Sequence, residues 1–171
     1  MRKIMFVTPI IASAALVLLT AGPASAQTDT SFEVAAGTLA VADPASVVLP
    51  GVTARVGTQT VSGPLGEVSV TDNRGGTAAW AAQVSSTAFT GPNSTSVPAT
   101  AVSYSAPAPT STGTVTLTAA ASPDLSVAAA VVSASAVSGA NTAAWNPTIT
   151  ITVPGGALAG AYTGTITHSV A

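Results

Sequence analysis

The sequence predicts an all-β protein, a single antiparallel β-sandwich of the Ig-like, Greek-key kind, on three observations. Val, Ile and Thr recur at period two in many short stretches, the mark of strands with one face on a core. Gly, Pro and Asn break these stretches every ten residues or so, as turns do in sandwiches and barrels. No stretch sustains a capped helical period.

The first element is a leader. Arg2 and Lys3 precede a mostly apolar run from Ile4 to Leu19, and "GPASAQ" places Ala24 and Ala26 at the small positions of an A-x-A cleavage site. That three-part pattern predicts a secretory signal peptide over 1–26. The apolar run is broken by Thr8, Pro9 and Ser13 and falls short of the roughly 20 residues a membrane anchor needs. Of 171 residues, a leader of 26 leaves 145 for one domain over 27–171, enough for one sizeable core.

Past a polar lead-in over 27–31, "SFEVAAGTLAV" alternates Phe32 with Val34 and Leu39 with Val41. Strands are then expected in "VVLPGVTARV", "LGEVSVTD", "AWAAQVSS", "AVSYSA", "TVTLTAA", "NPTITITVP" and "GAYTGTITHSV". "LSVAAAVVSASAV" mixes alanine, which favours helix, with Val and Ser, which do not; strand is the preferred reading. Thr90–Thr100 and Ala106–Gly113 are loops by composition.

Charge excludes several functions. Beyond the leader, Arg55 and Arg74 stand against six acids, a net charge of −4 with no lysine. Nucleic acid is disfavoured as a partner for such a surface, because phosphate binding needs clustered cations. Electrostatic adhesion to an anionic polymer is disfavoured on the same ground. Cysteine is absent, so disulfides, thiolate metal sites and a lipid-bearing cysteine are excluded. The C-terminal "GTITHSVA" has neither the hydrophobic segment nor the basic tail of a covalently sorted wall protein.

Chemistry finds little to work with. His168 is the one histidine, and no G-x-S-x-G elbow exposes a serine, so a Ser–His–acid site is not expected. Transition metals need three or four ligands at set spacing. Asp72 and Asn73 are hard oxygen donors suited to calcium, but their spacing fits a side-chain-capped turn better. No carboxylate pair suggests glycoside hydrolysis. No cofactor and no catalysis are expected.

Two segments carry more information. On the strand after "DNRGG", Trp80, Ala82 and Val84 share one face, opposite Ala81, Gln83 and Ser85. On the last strand Tyr162, Gly164, Ile166, His168 and Val170 share a face, with Thr163, Thr165 and Thr167 opposite. These segments resemble the WxL-domain surface proteins of Gram-positive bacteria, which carry a Trp-x-Leu motif and a distal Y-x-x-x-[I/L/V]-T-W-x-L motif. "WAA" matches the first at Trp80, with Ala82 for leucine. "YTGTITHSV" matches the second at Tyr162, Ile166 and Thr167, with His168 for tryptophan and Val170 for leucine. The lead-in "VSVTDNRGGTAAW" is also similar to the family's valines, Asp-x-Arg-Gly turn and tryptophan.

The resemblance implies an extracellular all-β domain held non-covalently at the wall, through peptidoglycan or companion surface proteins. Asp72, Arg74, Trp80, Tyr162 and His168 are its motif residues and the candidate site. The Ala/Thr/Val-rich style fits a GC-rich, actinobacterial source. Arg74 is expected either to pair with Asp72 across a hairpin turn or to stack on Trp80. Strand alternation favours Trp80 as a core residue over a ligand platform, and His168 as an inward, satisfied histidine over a pH switch. Trp145 is open between core and surface. A second reading is a self-assembling subunit of a surface layer or fibre, since uncharged, threonine-rich strand edges favour pairing between chains.

Overall fold

The computed structural model describes residues 25–171, so the leader, its last two residues apart, lies outside the described residues. The fold is all-β: β1 Leu39–Ala42, β2 Gln59–Pro64, β3 Val68–Asp72, β4 Trp80–Ser86, β5 Phe89–Thr90, β6 Ser96–Val97, β7 Val102–Ser105, β8 Thr110–Ala119, β9 Ala121–Ser122, β10 Ala129–Trp145, β11 Thr148–Val153 and β12 Ile166–Val170. Every strand pairing is antiparallel. One sheet holds β1, β3, β10, β4, β12 and β8; a second runs β2-β11-β7-β9; β5 and β6 form a small hairpin. Residues 25–34, taken by themselves, carry no secondary structure.

The period-two stretches form strands where the alternation is clean. In β3 and β4 the even positions Val68, Val70, Trp80, Ala82 and Val84 are buried. The segment "LSVAAAVVSASAV" is strand, within the 17-residue β10. Several expectations are corrected. The last strand is shorter than "GAYTGTITHSV": β12 begins at Ile166, so Tyr162 and Gly164 precede it in an irregular stretch that carries a bridge between Thr163 and Thr90. Val47–Val56 is irregular, with Val48 and Val56 fully exposed: Pro44 and Pro50 supply no ladder donor, and the valines alone do not make a strand. Phe32 and Val34 join no strand and stand 90% and 82% exposed. Thr110–Gly113, expected as loop, opens β8 and pairs with β10 at Ala144, Ala143 and Thr142. The Thr90–Thr100 segment, also expected as loop, contains β6, which pairs with β5, and the short 3-10 turn Pro92–Ser94 between them; Val97 within it is 2% exposed.

The "DNRGG" turn does not reverse the chain. β10 pairs with β8 from Val132 to Ala144, and that ladder overlaps both the pairing of β10 with β4 and its pairing with β3. A strand has two edges, so β3 and β4 share the edge away from β8. Val68 faces Trp145, Asp72 faces Asn141, Trp80 faces Ala134 and Val84 faces Ala129. Thus β3 and β4 are two halves of one line, with Asn73–Ala79 as an excursion opposite an irregular stretch of β10. There Gly139 N–H donates to Gly76 O at 2.8 Å. Left-handed backbone at Gly75, Gly76, Gly139 and Ala136 supplies the local change of direction, cheaply at glycine and at a cost at Ala136.

This paired ribbon folds back on itself at that corner. Sixteen residues separate Trp145 from Ala129, about 50 Å if extended. Yet the Tyr104 hydroxyl lies 2.8 Å from Trp145 Nε1 and 3.1 Å from Nε2 of His168, and His168 pairs with Val84 at the Ala129 end. The inside of the bend is one core, with Val68, Val70, Ala143 and Trp145 from one half and Trp80, Ala82, Val132 and Ala134 from the other. A second core lies where Val84 and Val131 meet Val102, Tyr104, Ile149 and Ile151 of the second sheet, around Leu125.

Candidate functional site

At the corner, the motif residues form a buried polar relay. Asp72 is 1% exposed and accepts three bonds from Arg74: from its backbone N–H at 3.1 Å, Nε at 2.9 Å and Nη2 at 3.0 Å. Of the two placements expected for Arg74, the pairing with Asp72 is the one adopted. Asn141 Nδ2 donates to Asp72 at 3.5 Å, while Asn141 Oδ1 accepts the Trp80 indole N–H at 3.1 Å. The relay therefore ties the excursion to β10, and with Trp80 3% exposed the indole is enclosed by protein.

The Arg74 side chain, hydrogen-bonded to the carboxylate, holds Asp72 below the ordinary 3.8, helped by the Arg74 backbone N–H and by Asn141 and opposed by burial. A depressed carboxyl means the unfolded chain binds the extra proton first. The stabilisation is complete above the unfolded value and disappears as pH falls through the folded one. The melting temperature is expected to drop as pH is lowered from 5 to below 4, and Asp72→Asn to flatten that drop. A residual slope is expected from Asp124, which the Ser126 backbone N–H also lowers. An unaltered acid slope in Asp72→Asn would contradict the assignment.

A second relay spans the bend. Asp43 Oδ2 lies 2.9 Å from His168 Nδ1, His168 Nε2 is 3.1 Å from the Tyr104 hydroxyl, and that oxygen accepts the Trp145 indole N–H at 2.8 Å. A carboxylate only accepts, so Nδ1 carries a proton and donates to Asp43, while Nε2 on the other side of the ring is hydrogen-bonded to the Tyr104 hydroxyl. Burial pushes the Tyr104 hydroxyl up to about 12, which keeps it a donor. Trp145, 3% exposed, belongs to the core.

The Asp43–His168 end of this relay opens on a groove of about 670 Å³. One wall is the irregular stretch Asp43–Val52, the other the stretch Ala157–Ile166, and Val61, Ile149 and Ile151 of the second sheet form the floor. Val48 and Leu158 stand at the rim, 97% and 42% exposed. Tyr162 also lines the groove; its hydroxyl donates to Leu158 O at 3.1 Å and lies 3.2 Å from Thr95 Oγ1. The Tyr162 ring covers Gly91 so closely that a Cβ there would sit 2.3 Å from Cε1, so glycine is required beneath it. Asp43 supplies charge at the groove; among the described residues no lysine or arginine lines it.

The five sequence candidates thus divide. Tyr162 and His168 reach the groove, whereas Asp72, Arg74 and Trp80 hold the corner. Asn141, Tyr104 and Asp43 complete the two relays and carry no local signal, since each meets its partners only through the fold. Among the described residues no three His, Asp or Glu gather as a metal site.

A protein-family model described as "WxL domain surface cell wall-binding" matches residues 28–171. No curated protein and no solved structure matches the chain.

Proposed function

Since the chain belongs to the WxL family of surface, cell wall-binding domains, we propose that it is a non-catalytic attachment protein of the cell surface. It is exported on the leader over 1–26, its domain over 27–171 being extracellular, and it is held non-covalently on peptidoglycan or a companion surface protein. The family match over nearly the whole chain carries this reading. Two sheets closing on a common core support describing the domain as a β-sandwich of Ig-like type. The relay supports binding over turnover: His168 has Asp43 on one nitrogen, but the hydroxyl on the other is Tyr104, 1% exposed, out of reach of a substrate.

The groove is the contact surface in this reading. Its walls are mostly apolar, and among the described residues no lysine or arginine lines it, so retention rests on apolar burial and hydrogen bonds, with little counter-ion dependence. Purified protein should sediment with isolated peptidoglycan, survive a wash in molar salt and be released by mild denaturant. Val48→Asp combined with Leu158→Asp is expected to lower retention about tenfold, equivalent to about 1.4 kcal/mol, with the melting temperature unchanged because both side chains reach solvent. Protein that stays in the supernatant, or retention indifferent to the rim substitutions, would count against the wall ligand and the groove respectively.

A further inference from the structure

We propose that copies of this chain join head to tail, the segment Thr30–Val34 of one adding as a strand to the free edge of β8 in the next. The acceptor is unusual. Among the described residues, β8 pairs with β10 alone, leaving a ten-residue edge whose outward N–H and C=O groups have no strand partner. Edge strands are ordinarily blunted by charge, proline or brevity, and "TSTGTVTLTA" contains neither a charge nor a proline. Other edges are shorter or blunted. β1 has four residues; β2 ends in Pro64, with Leu49 and Pro50 packed over its Gly63; β9 has two residues; β12 has Asp43 against its His168.

The donor has the complementary pattern. Phe32 and Val34 alternate with Ser31 and Glu33 in a segment without secondary structure, and both apolar side chains stand in solvent at 90% and 82% exposure. On β8, Val115 and Leu117 pack against the core of the bend, while Thr112, Thr114, Thr116 and Thr118 face water. A strand laid along this edge with Phe32 and Val34 beside Val115 and Leu117 extends the apolar face. Its Ser31 and Glu33 then continue the threonine face. Side-chain alternation sets the register while main-chain hydrogen bonds supply the attachment. Donor and acceptor are different surfaces, so the contact is heterologous and builds open chains unless the rotation closes. The assembly does not depend on the wall-binding reading.

The test uses protein purified after expression of the full chain, followed by light scattering against concentration. Assembly is expected to rise with concentration. Phe32→Asp with Val34→Asp, or Thr116→Lys with Thr118→Lys, should each shift half-assembly to at least about tenfold higher concentration. Circular dichroism and melting temperature should stay unchanged, since all four positions are exposed. The chain has no cysteine, so mixing a Glu33→Cys variant with a Thr116→Cys variant, the two positions this register sets opposite one another, should give a disulfide-linked pair above the level of either alone. A monomer at every soluble concentration, assembly indifferent to both double substitutions, or a crosslink formed only within a chain carrying both cysteines would overturn the proposal. None of these results bears on retention by peptidoglycan, which is read separately.

Discussion

Trp80→Ala is expected to destabilise the protein by about 3–5 kcal/mol, a large part of the roughly 5–15 kcal/mol that holds a domain together. Trp80 is 3% exposed inside the bend, in one cluster with Val68, Val70, Val132 and Trp145. Removing the indole opens a cavity at the corner, where β10 and the β3–β4 line already depart from regular pairing, and leaves Asn141 Oδ1 without its donor. Trp80→Phe separates the two losses. It keeps most of the bulk and removes the N–H, so it should cost about 1–3 kcal/mol. Urea unfolding of the three proteins reads both numbers. A loss below about 1 kcal/mol for the alanine variant would mean that Trp80 is not a core residue, and would reopen its use as a binding platform.

The second large effect is expected at Tyr104. Tyr104→Phe preserves the ring and its packing but removes the one oxygen shared by the Trp145 indole and His168. Two buried polar groups then lose their partner, at about 1–3 kcal/mol each, for a loss of about 2–6 kcal/mol. The diagnostic feature is coupling. Because the hydroxyl touches both arms of the bend, Tyr104→Phe and Trp145→Phe should be non-additive in a double-mutant cycle by more than about 0.5 kcal/mol. Amide exchange should accelerate in β12 as well as at the Trp145 end of β10. Additive losses, or exchange changes confined to one arm, would show that the hydroxyl does not join the two halves.

Much of the strand content was legible, because residues at period two must separate a dry face from a wet one. Trp80, Ala82 and Val84 illustrate this, as do Ile166, His168 and Val170, which are half-buried and alternate with exposed Thr167 and Ser169. The two motif-bearing segments pair directly, His168 of β12 beside Val84 of β4 and Val170 beside Ala82. The failures have physical causes. Valine propensity in Val47–Val56 could not overcome Pro50 within it and Pro44 just before it, and none of the described strands pairs with that stretch. The glycines of "DNRGG" read locally as a hairpin, but whether a glycine turn reverses a chain depends on the strand opposite it, here the bulged middle of β10. Asp43 and His168 meet across 125 positions, and no local spacing announces such a pair. The groove, walled by the irregular stretches, was invisible for the same reason.

The bent ribbon has a consequence for how the chain acquires its shape. Val68 must find Trp145, and Asp43 must find His168 near the end of the sequence, so hardly any stabilising contact of the bend forms between near neighbours. High contact order of this kind delays the rate-limiting step to the ms–s range of about 10⁻³–1 s. Folding should therefore proceed as one late, cooperative event that waits for β12, and a chain halted before Ile166 should remain unstructured.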